Sequence, residues 1–216
     1  MKRAHIFVAG FCLWVAASVQ AAPAGGDVAL ITAVEGAVTR GADKATQPVQ
    51  AFVKLKEGDL LSLAGNARLQ IVFFESRRQE SWHGTGKIEI AAAAGRGSAL
   101  AEPEVKVLPE VLVKQIAKTP ALDSQGRAGV VRLRALPMPD ALVKLESDYK
   151  RLREDAGKDD LNPEIFFLSS LMEMRQLERL EKALSDIEAT HAANPGTPAL
   201  LGLYRTALKQ VREGNK

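Results

Sequence analysis

Ala67-Arg68-Leu69-Gln70-Ile71-Val72-Phe73-Phe74 decides how the N-terminal half of this chain folds. Side chains alternate across a strand, so Ala67, Leu69, Ile71 and Phe73 share one face while Arg68 and Gln70 take the other. Val72 and Phe74 then make the end apolar on both sides, which requires cover from two directions. Lys87-Ile88-Glu89-Ile90 is the strand expected to supply it. Working outward, Ala29 to Thr39 reads as a strand bent at Gly36, and Leu60 to Leu63 as another, entered through Glu57-Gly58-Asp59, whose glycine can take a positive φ. Gly41 to Pro48 is a polar loop, Gly84-Thr85-Gly86 a turn, and Ala91 to Gly97 a loop of small residues. Val105 to Leu108 and Val130 to Arg134 are further strands, separated by a turn at Asp123-Ser124-Gln125-Gly126. Val111 to Ala117 fits neither period well and is compatible with helix or strand.

Near Leu136-Pro137-Met138-Pro139 glycine becomes sparse and the apolar spacing turns helical. Leu142, Leu145, Tyr149 and Leu152 form one stripe on a helix over Asp140 to Asp155, which Gly157 stops. Asn162-Pro163-Glu164 is a start signal: Asn162 can accept from first-turn amides and Pro163 needs no amide partner. The helical stretch that follows, to Ala193, is long enough to break into an antiparallel pair near Arg175 to Glu178. Asn194-Pro195-Gly196 ends it, and Thr197-Pro198 opens a last helix with Leu200, Tyr204, Ala207, Leu208 and Val211 on one face. The chain is therefore expected to be α+β, an all-β region over residues 22–136 followed by a helical region over 137–216.

The first 21 residues have the three parts of a secretory signal: Lys2 and Arg3, an apolar run from Ile6 to Val19, and small residues at Val19-Gln20-Ala21. The run is about 14 residues, against about 20 for a membrane span, so a cut after Ala21 is expected rather than an anchor. The lone Cys12 and His5 leave with it. Phe11 stands where a lipidated cysteine needs a small neighbour, so a lipoprotein is not expected. The 29 basic and 26 acidic residues give +3, and loss of Lys2 and Arg3 lowers this to +1, too little to favour nucleic acid. A mature domain of this size without cysteine fits the bacterial periplasm. After cleavage no stretch is long and apolar enough to make it an integral membrane protein.

Val34-Glu35-Gly36-Ala37-Val38, Leu55-Lys56-Glu57-Gly58-Asp59-Leu60-Leu61, Gly65 to Phe73 and Ile88-Glu89-Ile90 together resemble the FecR-like domain, a small β domain of bacterial envelope proteins. The resemblance covers residues 28–94 and implies an envelope interaction or sensory role. Where that family turns on Asp-Gly after its main strand, this chain has Glu75-Ser76-Arg77-Arg78. It also lacks the cytoplasmic domain and central membrane helix of the family's sigma regulators, so that activity is not implied. The helical half is similar to a tetratricopeptide-type hairpin: Pro195 matches the closing proline, Ile187 and Ala183 the large and small places, Met174 and Phe167 the aromatic places of the first helix. Leu171 and Thr190 depart from that pattern, and an ordinary helical bundle remains an equal alternative.

Little points to catalysis. His83 and His191 are far apart with no local chelating motif, so neither metal nor cofactor is expected. Gly84-Thr85-Gly86-Lys87 and Gly95-Arg96-Gly97-Ser98 lack the spacing and following helix of a phosphate loop and read as turn glycines. No Gly-x-Ser-x-Gly elbow exists. Asp159-Asp160 reads as solvated linker, and Lys150 to Asp155 as a solvated helix face. Arg77, Arg78, Trp82 and His83 form the candidate binding cluster, since arginine forks around carboxylates and tryptophan stacks on sugars. The competing and preferred reading turns Trp82 inward as a core anchor. The expected function is non-enzymatic recognition of an envelope protein or cell-wall component. A cell-wall hydrolase and a self-associating scaffold are the alternatives.

Overall fold

The computed structural model describes residues 26–41, 46–120 and 139–213. Its strands are β1 (Asp27–Arg40), β2 (Gln47–Pro48), β3 (Lys54–Lys56), β4 (Leu60–Phe73), β5 (Arg78–His83), β6 (Gly86–Ile90), β7 (Gly95–Ser98) and β8 (Glu104–Val107). Five helices follow: α1 (Glu110–Ile116), α2 (Pro139–Asp155), α3 (Asn162–Glu173), α4 (Leu177–Thr190) and α5 (Thr197–Glu213). The described chain is thus α+β, with one antiparallel sheet in its N-terminal half. The leader and its cut after Ala21, the turn at 123–126, the strand at 130–134 and the change of composition at 136–138 lie outside the described residues.

The two segments read as separate strands, Leu60–Leu63 and Ala67–Phe74, are one strand, β4, paired along its length with β1. A bulge at Glu35/Ala37 bends the pair. Gly36 sits there at φ +79, and a Cβ on it would lie 3.1 Å from the Ala67 Cα, so the bend requires glycine. On one side of the bend β4 pairs with β5 through Arg68–Val72; on the other it pairs with β6 through Leu60–Leu63. The apolar face closes on itself around Ile31, Ile71, Phe73 and Trp82 from one half and Leu61 and Ile88 from the other. Ala67, Leu69, Ile71 and Phe73 are all buried on this face, as the alternation predicts.

The loop expected over Gly41 to Pro48 ends in strand, since Gln47–Pro48 pairs with β1 as β2, and two further expectations about the sheet need correction. Ala91 to Gly97 is not simply a loop, because Gly95–Ser98 forms β7 against β6. Strand propensity fails to reveal it because its glycines serve a neighbour: a Cβ on Gly97 would lie 2.5 Å from Trp82 Cζ3, and one on Gly95 3.1 Å from Trp82 Cζ2. Overpacking of this kind costs about 1–3 kcal/mol, so Gly97→Ala should lower the urea midpoint clearly. Arg96→Ala, whose side chain is exposed, should barely move it.

The second cover of Val72 is also not β6, which lies edge to edge with β4. Helices provide it: Leu30 and Val72 share a core with Leu112 and Ile116 of α1 and with residues of α3 and α5. Phe52, held at φ +66, joins that same core. The ambiguous segment at Val111 is helical, since Leu112, Val113 and Ile116 all find burial on one face. Lys118 at its end donates to Glu173 of α3 at 2.7 Å.

The helices follow their patterns closely. α3 and α4 are the expected antiparallel pair, with Arg175 between them at φ +55. On α2, Leu145 and Leu152 are buried and Leu142 and Tyr149 partly so; on α5, Leu200, Tyr204, Ala207 and Leu208 are buried. Asn162 does not cap α3. Its backbone N–H donates to Asp160 Oδ1 at 2.9 Å, and its side-chain Nδ2 donates to Gln79 Oε1 of β5 at 2.7 Å, tying helix to sheet in the buried interface. Among the described residues no helix is long and apolar enough to cross a membrane.

Candidate functional site

Antiparallel register sorts the sheet's helix-side face into cross-strand rows, whose directly opposed side chains lie about 5 Å apart at Cβ. Leu30, Val72 and Gln79 form a row under the helices. The next row is Ala33, Gln70 and Ser81; the one after is Glu35, Arg68 and His83. The helices do not reach these last two rows. The α2–α3 loop, residues 157–160, faces them instead and completes a cleft of about 280 Å³.

Floor and wall differ in how they are held. Thr32 Oγ1 donates to Gln70 Oε1 at 2.8 Å, but Glu35, Arg68, Ser81, His83 and Lys158 make no side-chain hydrogen bond or ion pair within the described chain. The wall, by contrast, is pinned. Arg153 Nη1 donates to the Asp160 carbonyl at 2.7 Å, Arg153 Nη2 donates to the Gly157 carbonyl, and Asn194 Nδ2 donates to the Asp159 carbonyl at 2.8 Å. Arg153 is itself anchored by the fully buried Glu164, whose Oε2 accepts from Nη1 at 2.8 Å. Glu164 Oε1 takes the Tyr149 hydroxyl at 3.2 Å and lies 3.2 Å from His191 Nε2. Burial, and then the Glu164 charge, push the Tyr149 phenol upward in pKa. The charged run read as solvated therefore contains an inward-turned cation, Arg153, and it sets the geometry of the cleft.

Asp160 is likewise not a freely solvated linker residue. Burial raises its pKa, against the lowering pull of the Asn162 N–H bond and of the Lys106 and Arg153 charges. A carboxyl whose folded pKa is raised holds its proton more tightly in the folded state, so its contribution is greatest at low pH and is lost as pH rises through that value. Asp160→Asn keeps an acceptor for the Asn162 N–H and removes the titration. The melting-temperature difference, variant minus parent, should grow as pH rises from about 4, the ordinary aspartate value, and then level off.

The cluster Arg77, Arg78, Trp82 and His83 is divided by strand alternation. Glu80 and Trp82 are buried on the inner side, Arg78 shares their strand face with its side chain partly exposed, and His83 faces the cleft. Trp82 is buried, and its Nε1 donates to Glu80 Oε2 at 3.1 Å; the Gly95 N–H donates to the same oxygen at 3.0 Å. Arg78 Nε stands 3.3 Å from Glu80 Oε1 as a charge contact without hydrogen-bond alignment. Arg77 is exposed in the turn at φ +58, near Glu110. Of the four only His83 lines the cleft. Its companions Glu35 and Arg68 stand on two other strands, and the register of β1, β4 and β5 brings the three together.

A smaller groove of about 240 Å³ lies between α2 and α4. Tyr149 and Phe167 stack in its floor with centroids 4.5 Å apart, and Glu146, Arg179, Lys182 and Asp186 edge it. Among the described residues, no three His, Cys, Asp or Glu side chains are grouped to hold a metal ion. No protein-family model, curated protein or solved structure matches this chain.

Proposed function

We propose that this chain is an exported, non-enzymatic module of the bacterial envelope, periplasmic after removal of its leader, that recognises a protein or cell-wall component through the cleft between sheet and α2–α3 loop. One observation carries the reading: Glu35, Arg68, Ser81 and His83 of the floor, whose side chains have no partner among the described residues, face a wall that Arg153 and Asn194 hold in place. These side chains are open to solvent and free of partners within the fold, so a ligand can take them without breaking a contact, on a frame already in place. The FecR-like resemblance of residues 28–94 agrees with a small antiparallel domain of this kind, and the tetratricopeptide-like one with α3 and α4 as a helical docking element. Crosslinking in intact envelopes tests the reading. The combined Arg68→Gln, Lys158→Ala variant should lose the adduct that the parent forms, and undiminished recovery would sink it.

One observation favours a hydrolase instead: Asp160, with its raised pKa, shares the cleft with Glu35 and Asp159. Acid–base hydrolysis needs one protonated and one ionised carboxyl. Against it, Asp160 Oδ1 is already occupied by the Asn162 N–H at the start of α3. Release of soluble fragments from purified cell wall, abolished by Glu35→Gln, would establish the hydrolase. The scaffold alternative has less support. Among the described residues the exposed large apolar ones are Leu60, Val105, Val107, Val111 and Val143, and β8, which carries two of them, is short and edged by Pro103 and Pro109.

A further inference from the structure

Building on the cleft as the recognition site, we infer that its ligand is a short peptide or amino-acid derivative carrying both a free carboxylate and a free ammonium group. The charges within the cleft are of both signs and alternate in space. Arg68 stands between Glu35 and His83 in one cross-strand row, while the facing wall presents Lys158 beside Asp159. A purely anionic ligand would meet Glu35 and Asp159; a purely cationic one would meet Arg68 and Lys158. Like charges brought together in a partly enclosed site are disfavoured, so either would lose what it gained.

A zwitterion satisfies both sets. The Arg68 guanidinium offers a planar fork matched to a carboxylate, with Lys158 as a second, flexible cation across the cleft. Glu35 and Asp159 receive the ammonium. Between the poles, Gln70 and Ser81 supply neutral hydrogen-bonding groups suited to a peptide unit, and Ala33 leaves room above the floor. At about 280 Å³ the space falls just below the usual span of small-molecule sites, about 300–1,000 Å³, so it admits a short peptide and not a folded chain. The Gly157 and Asp160 carbonyls are already spoken for by Arg153, so the wall answers the ligand with side chains.

Amide chemical-shift titration of the full mature chain tests this with three probes: trialanine, N-acetyl-trialanine and trialanine amide. Trialanine should shift Arg68, Gln70, Ser81 and Lys158, and each capped form should bind at least tenfold more weakly. Arg68→Gln should equalise trialanine and its amide while leaving the penalty for N-acetylation in place. Equal binding of capped and free peptides, or no shift at the cleft with any of them, overturns the ligand class. Envelope crosslinking run on the same variants separates this from the broader reading. Should the adduct still depend on Arg68 and Lys158 while no peptide binds, the cleft stands as a recognition site and the zwitterion falls; should neither depend on them, both fall.

Discussion

Trp82→Ala will lower the unfolding free energy by about 3–5 kcal/mol, the range for emptying a buried large aromatic site. The indole is 2% exposed and fills the space that Gly95 and Gly97 leave open, and neither glycine has a side chain with which to collapse into the cavity. A second cost falls on Glu80. Its carboxylate stays buried but keeps only the Gly95 N–H and the Arg78 contact once Nε1 is gone. Trp82→Phe should cost less, since a ring remains and only the donor and part of the volume are lost. His83→Ala, one residue along and on the opposite face, should stay within about 0.5 kcal/mol. Urea denaturation of the three variants measures the contrast. If instead Trp82→Ala left stability untouched and reduced partner recovery, the indole would be a ligand-stacking group and its placement in the core would be wrong.

The same side chain shows what sequence could and could not disclose. Alternation identified Trp82 as a candidate for the core, because alternation is a property of a single strand. It did not identify β7, because Gly95 and Gly97 are chosen by the shape of an indole on another strand and have no apolar periodicity of their own. The helices were readable for a related reason. A 3.6-residue stripe, an Asn-Pro start and a Pro-Gly stop are all written locally, and α2, α3, α4 and α5 fall where those signals put them. The start of α3 shows the limit of local rules: Asn162 caps nothing, because Gln79 draws its amide across to the sheet while its own N–H goes to Asp160. The cleft was least readable of all. Its row of Glu35, Arg68 and His83 exists only through the register of β1 against β4 and of β4 against β5. Each residue alone looks like an ordinary solvent-facing position.

Glu164→Ala should be as damaging as loss of Trp82, for an electrostatic reason. The Glu164 side chain is fully buried and takes Arg153, the Tyr149 hydroxyl and His191. Removing it leaves the largely buried Arg153 guanidinium without its counter-charge, a loss of about 3–5 kcal/mol where a buried pair is broken from one side. Removing both partners is different, because the desolvation that the pair must offset disappears with them. The double variant Arg153→Met, Glu164→Leu should therefore recover much of the stability lost by Glu164→Ala. It should not recover the cleft. Arg153 is what holds the Gly157 and Asp160 carbonyls, so the double variant should melt near the parent temperature while its peptide-induced shifts at Lys158 fall at least tenfold. Calorimetry and the trialanine titration, run on one sample each, give the two readouts. A double variant that regained both stability and binding would mean that Asn194 alone orders the loop, and that the buried glutamate serves the helices and not the site.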